Sequence, residues 1–493
     1  METDLSIERE GEDVMEKTMK KKEAVVLYPS PLIGHVISMV ELGRLILSHR
    51  PSAAIHVLVS TAPSPAATAA TADYISSVSA SAGSSISFHH LPATTLPPTF
   101  STMKSNLPTV ALALELLRLD APNVHSALES LSKHHLVLAL VIDFFCASAV
   151  PVAKELGIPC HCFFTSGAGG LTHFLYLPYL HKNITKSFKD LDPDFIIDIP
   201  GTPLLVPSDL PNTVLDRGDR AYEIFLESSM NIQRADGAIV NTFEELQPLA
   251  TRALVEGQCT PGGTTPPLYC IGPLISNHDA GDNNVDKGSL KWLDMQPSKS
   301  VVFLCFGSMG VFPKEQLKEM AIGLERSGQR FLWVVRNPPD QPDSDFDSLF
   351  PDRLLERTKG RGLMVHRWAP QVAVLNHGSV GGFVTHCGWN SVLESVCAGV
   401  PMIAWPLYAE QPLQRALMVK EMKIALSMNA SRDGIVSAAE VEERVRELMD
   451  SEAGKSVREK TLAMKEAARA ALSLGGSSRV ALTRLVDSWI PAA

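Results

Sequence analysis

The chain has 493 residues, with 44 Lys and Arg against 54 Asp and Glu for a formal charge of −10, and it is 45% hydrophobic and 20% charged. At roughly 100 to 200 residues per domain, that length predicts two or three globular domains with full cores and excludes a small disulfide-stapled scaffold. The acidic balance, with no basic block longer than Lys20-Lys21-Lys22, excludes phosphate-backbone binding as the main activity, so nucleic acid is not an expected partner.

Residues 1–23 are charged and polar, lack the apolar core of a secretory signal, and read as a disordered extension. From Ala24, short β-branched or aromatic runs alternate with helical patterns: Ala24 to Tyr28, Ile55 to Ser60, Leu136 to Ile142, Cys160 to Thr165 and Gly237 to Asn241. Thr61 to Ser85 is almost all Ala, Ser and Thr and reads as a loop. Ser276 to Gly288, rich in Asn, Asp and Gly, has a linker composition. A second strand series follows at Val301 to Phe306, Arg330 to Val335, Gly362 to His366, Gly382 to Thr385 and Pro401 to Trp405, interrupted by a Pro- and Asp-rich loop from Asn337 to Asp352. Continuous apolar strands separated by helices mean parallel sheets covered on both faces. The expected organisation is an α/β domain at 24–275, a linker at 276–288, a second α/β domain at 289–470 and a closing helical segment at 471–493. The chain ends in two helical patterns, Ser451 to Leu474 and Ser478 to Trp489, broken at Gly475-Gly476.

No run of about 18 apolar residues predicts a membrane span. The eight cysteines are scattered, and without a signal peptide they read as reduced thiols of a cytoplasmic protein. The sequons at Asn183 and Asn429 are then chance matches.

In open α/β sheets, ligands bind beyond the carboxyl ends of the strands, where helix N-termini offer free amides. Nucleotide fingerprints fall short at two places. Gly167-Ala168-Gly169-Gly170 has Thr172 in place of the third dinucleotide glycine, and Gly454-Lys455-Ser456 has Met449 where a phosphate loop needs its first glycine. The informative strand end is Phe383 to Ser391, a strand, a tight turn and a helix start running on to Ala398 and stopped by Gly399 and Pro401. His386, Ser391 and the first-turn amides fit a diphosphate, and Glu394, one turn beyond Asn390, fits a ribose diol. A plain polar turn would use the same residue types. Trp368-Ala369-Pro370-Gln371 follows another strand and lets an indole face a flat base, and Glu410-Gln411 places an acid and an amide side by side after Trp405.

From Trp368 to Gln411, the WAPQ, HCGWNS, Glu394, GVP, WP and EQ elements resemble in register the signature box of plant family 1 UDP-glycosyltransferases, and the likeness runs along essentially the whole chain from Ala24. The resemblance implies a GT-B architecture, two Rossmann-like parallel-sheet domains facing across a cleft. It implies that Trp368 stacks on uracil and that Gln371 and Glu394 hold the ribose, with Ala369 and Gly388 also among the UDP-sugar-binding residues. His386, Asn390 and Ser391 would hold the diphosphate, and Glu410 and Gln411 the hexose hydroxyls, with Trp389 lining the sugar site. A closing Gln marks glucose, and Trp389 argues against UDP-glucuronate. Ser308 and Thr165 match positions that touch the phosphates or the transferred sugar. The closing helices would cross back to the N-terminal domain.

The acceptor and base are expected in the N-terminal half. Gly34-His35 opens a helical pattern after the first strand, and the positive helix end is expected to keep the ring neutral enough to accept a proton near pH 7. Asp143 ends an otherwise apolar strand, where a lone charge is costly unless paired, and the pair resembles the family's His-Asp dyad. Capping the following helix from Phe144 to Val150 is the alternative role for Asp143. Gly34, Phe144, Phe145, Phe164 and Phe174 are the acceptor-side candidates. The expected reaction is inverting transfer of glucose from UDP-glucose to a phenolic acceptor such as a flavonoid or chalcone, by a monomer that needs no cofactor. No metal is expected, because the donor segment holds no Asp-x-Asp pair. C-glucosylation of a similar acceptor, a UDP-sugar epimerase and a non-catalytic UDP-sugar-binding protein are the alternatives.

Overall fold

The computed structural model describes residues 21–61, 65–81, 85–95, 109–276, 287–338, 346–431 and 433–490. Seven strands form the first sheet: β1 (Lys22–Tyr28), β2 (Ala54–Val59), β3 (Ile86–His90), β4 (His135–Asp143), β5 (Cys160–Phe164), β6 (Gly237–Val240) and β7 (Leu268–Cys270), in the order β3-β2-β1-β4-β5-β6-β7. Six form the second: β8 (Val301–Cys305), β9 (Arg330–Val335), β10 (Gly362–His366), β11 (Val380–Thr385), β12 (Met402–Ala404) and β13 (Ala425–Ser427), in the order β10-β9-β8-β11-β12-β13. All neighbouring pairs are parallel. The central strands are buried on both faces, β2 and β11 over their whole lengths, which is why they read as uninterrupted apolar runs.

Seven helices matter below: α1 (Ile33–His49), α2 (Pro65–Ser81), α3 (Ala168–Asn183), α4 (Trp389–Ala398), α5 (Gln411–Ala416), α6 (Glu452–Leu472) and α7 (Ser477–Asp487). In each sheet the strand order reverses once, beside β1 and β4 in the first and beside β8 and β11 in the second. These are the switch points where a crevice opens. His35 follows β1 and Asp143 ends β4; Ser308 follows β8 and His386 follows β11.

Several boundaries differ from expectation. β1 starts at Lys22 rather than Ala24, because Lys22 and Glu23 already pair with His135 and Leu136 of β4. Residues 1–20, and 277–286 of the expected linker, lie outside the described residues. The segment expected as a loop at 61–85 contains α2: Ala favours helix, and Thr71, Ile75 and Val78 at i, i+4 and i+7 bury one face. Within the second expected loop, Phe346–Leu349 forms a short 3₁₀ turn, and 339–345 lie outside the described residues. The segment after Asp143 is a 3₁₀ turn, Phe144–Cys146, followed by a helix at Ala149–Glu155.

The helix α7 packs on the first sheet. Leu482, Leu485, Val486 and Trp489 share a cluster with Val25 and Leu27 of β1, Ile239 of β6 and Met39 of α1, and Ser478 Oγ donates to the Gly272 carbonyl at 2.6 Å. All eight cysteines are free thiols. Among the described residues, no helix is long and apolar enough to cross a membrane.

Candidate functional site

The structure joins His35 and Asp143 directly. His35 Nδ1 lies 2.7 Å from Asp143 Oδ2, with the carboxylate fully buried and the imidazole about a fifth exposed. Since a carboxylate only accepts, Nδ1 carries the proton and Nε2 the lone pair. Asp143 also does what the alternative reading assigned: its Oδ1 accepts from the Phe145 amide at 2.9 Å and caps the 3₁₀ turn. One oxygen holds the base and the other holds the turn, so the carboxylate is fixed from both ends. Thr165 Oγ1 lies 3.2 Å from His35 Nδ1, which puts it on the base as well as beside the cleft.

One electrostatic expectation is overturned. The helix end was to keep the His35 ring neutral, yet its pKa stands above the ordinary 6.5. Burial pulls it down, but the Asp143 charge, the hydrogen bond to Asp143 and the Glu410 charge outweigh burial. A carboxylate at hydrogen-bond distance is stronger than a helix-end partial charge.

The acceptor-side aromatics divide. Phe145 is half-buried and stacks on His35 at 5.2 Å between centroids. Phe144, at 5.9 Å from His35, is 8% exposed, while Phe164 and Phe174 are 4% and 3% exposed. Phe144, Phe164 and Phe174 pack into the core cluster, so of the four candidate rings Phe145 alone keeps appreciable exposure. Phe225, which the sequence reading missed, meets Phe145 at 5.8 Å. Gly34 faces the other domain, where a Cβ added to it would lie 4.0 Å from Asn390 Nδ2.

On the donor side, Trp368 is 44% exposed, a large indole left at a strand end, while Ala369 beside it is buried. Gln371 Nε2 donates to Ser391 Oγ at 2.9 Å and to Glu394 Oε2 at 2.6 Å, so three of the expected ligands form one preorganised cluster. His386 is 7% exposed, and its buried Nδ1 has no hydrogen-bond partner among the described residues. Burial lowers its pKa to about 4, so the ring stands neutral and offers an N–H rather than a positive charge. The ring lies flush on two glycines. A Cβ at Gly307, at φ 72°, would meet Nε2 at 2.7 Å, and one at Gly388 would meet it at 2.4 Å. Gly388 also caps α4 in an extended conformation, and Ser308 next to Gly307 is exposed.

Trp389 is placed differently from a simple sugar-site wall. Its Nε1 donates to the Asn241 carbonyl of the first domain at 2.7 Å, so the indole N–H is spent on the domain contact. Burial raises the Glu410 carboxyl pKa, and its charge is felt at His35 across the cleft. Gln411 Oε1 accepts from the Leu407 and Tyr408 amides at 2.8 and 3.0 Å, which closes the turn that presents Glu410.

The cleft is bounded by a seam between the two sheets. Asp209 accepts from Arg415 at 2.8 Å and from Lys420 at 3.0 Å. Gln414 Nε2 donates to Ser166 Oγ at 2.8 Å, and the Asn212 amide donates to the Ala409 carbonyl at 3.1 Å. No local pattern in the sequence marks these residues.

Two Rossmann-like parallel-sheet domains, with the His35–Asp143 pair at one switch point and the Gln371-Ser391-Glu394 cluster by the other, have the architecture of a GT-B glycosyltransferase. Comparison with known proteins agrees. The family model for UDP-glucoronosyl and UDP-glucosyl transferases matches residues 278–463. UDP-glycosyltransferase 88B1 of Stevia rebaudiana is 49% identical, covering 94% of this chain and 98% of that protein. Anthocyanidin 5,3-O-glucosyltransferase of a Rosa hybrid cultivar is 47% identical over 95% and 99%. The structure of Phytolacca americana UGT2, complexed with UDP-2fluoro-glucose and pterostilbene, superposes with a TM-score of 0.84 at 37% identity, covering 95% of this chain and 99% of that one. The chain belongs to the plant UDP-glycosyltransferase family.

Proposed function

We propose that the protein transfers glucose from UDP-glucose to a hydroxyl of a flavonoid-type or related phenolic acceptor, with inversion and without a metal ion. The observation that carries the reading is the 2.7 Å contact between His35 and Asp143, with the lone pair of Nε2 left for a substrate. Nε2 takes the acceptor proton as the phenolic oxygen attacks the anomeric carbon. The new C–O bond forms as the bond to the β-phosphate oxygen breaks, and UDP leaves with the electron pair. Attack from the face opposite UDP converts an α-linked donor into a β-glucoside.

The donor residues act in the roles that the cluster geometry favours. Trp368 stacks on uracil, Glu394 held by Gln371 takes the ribose diol, and His386, Ser391 and the first amides of α4 meet the charge that grows on the leaving phosphate. Glu410 and Gln411 receive the hexose. Phe145, stacked on the base, gives a flat acceptor an apolar face at the reacting atom. The names of the relatives support this choice: one acts on an anthocyanidin, and one is complexed with pterostilbene beside a UDP-sugar.

The test is mass spectrometry of the purified protein with UDP-glucose, a mixed phenolic panel and excess EDTA. A hexose-sized gain on an acid-labile product is the expected result, and an acid-stable product would move the bond to carbon. His35→Ala should abolish the gain and leave UDP binding nearly intact. Loss of UDP binding in that variant, or no gain on any acceptor with the wild type, would overturn the assignment.

A further inference from the structure

Ser38, a residue that no motif marks, lies between the two halves of the site. It is one turn beyond Gly34 on α1 and 4% exposed. Its Oγ lies 3.0 Å from the Gly34 carbonyl, 3.3 Å from Asn390 Nδ2 and 3.4 Å from Asn390 Oδ1. Ser38 and Asn390 stand 352 positions apart in the chain, on the helix that carries His35 and on the helix whose first turn faces the donor.

A hydroxyl has one proton, and the nearest acceptor, the Gly34 carbonyl, takes it. The Ser38 oxygen then accepts from Asn390 Nδ2. This orders the Asn390 amide: one N–H points at Ser38, and the second N–H and Oδ1 remain for a ligand. The chain of bonds runs from the Asn390 amide through the Ser38 hydroxyl to the carbonyl of Gly34, the residue bonded to the His35 amide nitrogen. A Cβ added to Gly34 would stand 4.0 Å from Asn390 Nδ2, so the two helix starts lie side by side at this residue pair.

We propose that Ser38 is a positioning residue that ties the donor-binding amide of Asn390 to the backbone beside the base His35, so that a seated diphosphate also sets the base. This rests on the donor and base roles proposed above. It adds a side chain that the reaction uses without touching either substrate, and it predicts an effect on turnover rather than on donor affinity.

The experiment is a double-mutant cycle on purified full-length enzyme, using UDP-glucose and an acceptor that the wild type accepts. Ser38→Ala keeps a good helix former on α1 and should lower kcat roughly 3- to 10-fold, the scale of one lost neutral hydrogen bond, with KM for UDP-glucose changing less than about 2-fold. In an Asn390→Ala background the same change should cost less than about 1.5-fold, because its partner is gone. Ser38→Cys, a near-isostere with a weak donor, should fall between serine and alanine. A merely structural role would cost the same in both backgrounds, so an additive cycle, or a folded Ser38→Ala with wild-type kcat, overturns the proposal and leaves the function standing. A wild type that neither binds UDP nor transfers glucose overturns both.

Discussion

At the scale of single residues, the chemistry depends on how one carboxylate is held. Asp143 has no exposure; its charge is met by the His35 ring and by the Phe145 amide. A His with a raised pKa is a stronger base but spends more of its time protonated near neutrality. Turnover is therefore expected to rise with pH along a limb centred above the ordinary 6.5, where imidazolium converts to imidazole. Asp143→Asn removes the largest raising influence and leaves burial, which lowers the pKa, so the limb should move to lower pH. The maximal rate should fall roughly 10²- to 10⁴-fold, because the tautomer is no longer enforced. A pH–rate profile of the variant checks both parts, and a limb that stays in place would remove Asp143 from this role. The same pair contributes stability that is complete below about 6.5 and is lost as pH rises through the raised value, the opposite of the usual carboxylate case.

At the scale of elements, α4 is where sequence and structure agree most closely and where one glycine carries the geometry. The backbone at Gly388, φ −62° and ψ 133°, is open to any residue, so the reason for glycine is space: a Cβ would sit 2.4 Å from His386 Nε2. Gly388→Ala should keep the fold and push the ring off the donor position. One lost hydrogen bond to a charged group, about 1.5–3 kcal/mol, corresponds to a rise of roughly 10- to 150-fold in KM for UDP-glucose. An unchanged KM, with thermal stability also unchanged, would take His386 out of the donor site. The candidate donor segment was legible because its residues crowd into the stretch from Trp368 to Gln411, where their spacing is close enough to match a family pattern. Ten strands were legible: nine are interior to their sheets and read as apolar runs, and the tenth, β10, is a half-buried edge strand whose Leu363-Met364-Val365 still forms an apolar run. The edge and end strands β3, β7 and β13 were not: two are three residues long, and β3 carries His89 and His90 on a half-buried edge. The helix α2 was hidden by its composition, although Thr71, Ile75 and Val78 hold the right spacing. The seam was illegible in principle, since its partners stand from 148 to 352 positions apart and meet only when the two sheets dock.

At the scale of the whole molecule, burial of neutral imidazoles sets how the fold responds to acid. His56, His161, His173 and His386 are all under 8% exposed, and burial holds each pKa at about 4. They are spread over β2, β5, α3 and the donor turn, so both sheets are involved. Between about 4 and 6.5 the unfolded chain binds protons that the folded chain refuses, so stability is complete above 6.5 and declines as pH falls toward 4. Each site is worth on the order of 3 kcal/mol by the end of that range, a sizeable part of a typical domain's stability of about 5–15 kcal/mol. Two carboxyls act in the other direction, as does the His35–Asp143 pair. Burial raises Glu410, and it raises Glu421 to about 7, so their folded forms keep a proton and their cost grows as pH rises from 4.5. Four imidazoles against two carboxyls and the His35 ring leave acid as the destabilising direction. Thermal midpoints measured from pH 8 down to pH 5 should fall steadily below about 6.5, and His173→Leu, which removes one buried proton site far from the donor turn, should flatten the fall. Equal midpoints at pH 7.5 and pH 5 would mean that these rings find partners or water in solution. In that case the neutral His386 assigned to the donor site would have to be reconsidered as an imidazolium, with a direct Coulomb attraction to the diphosphate in place of a hydrogen bond.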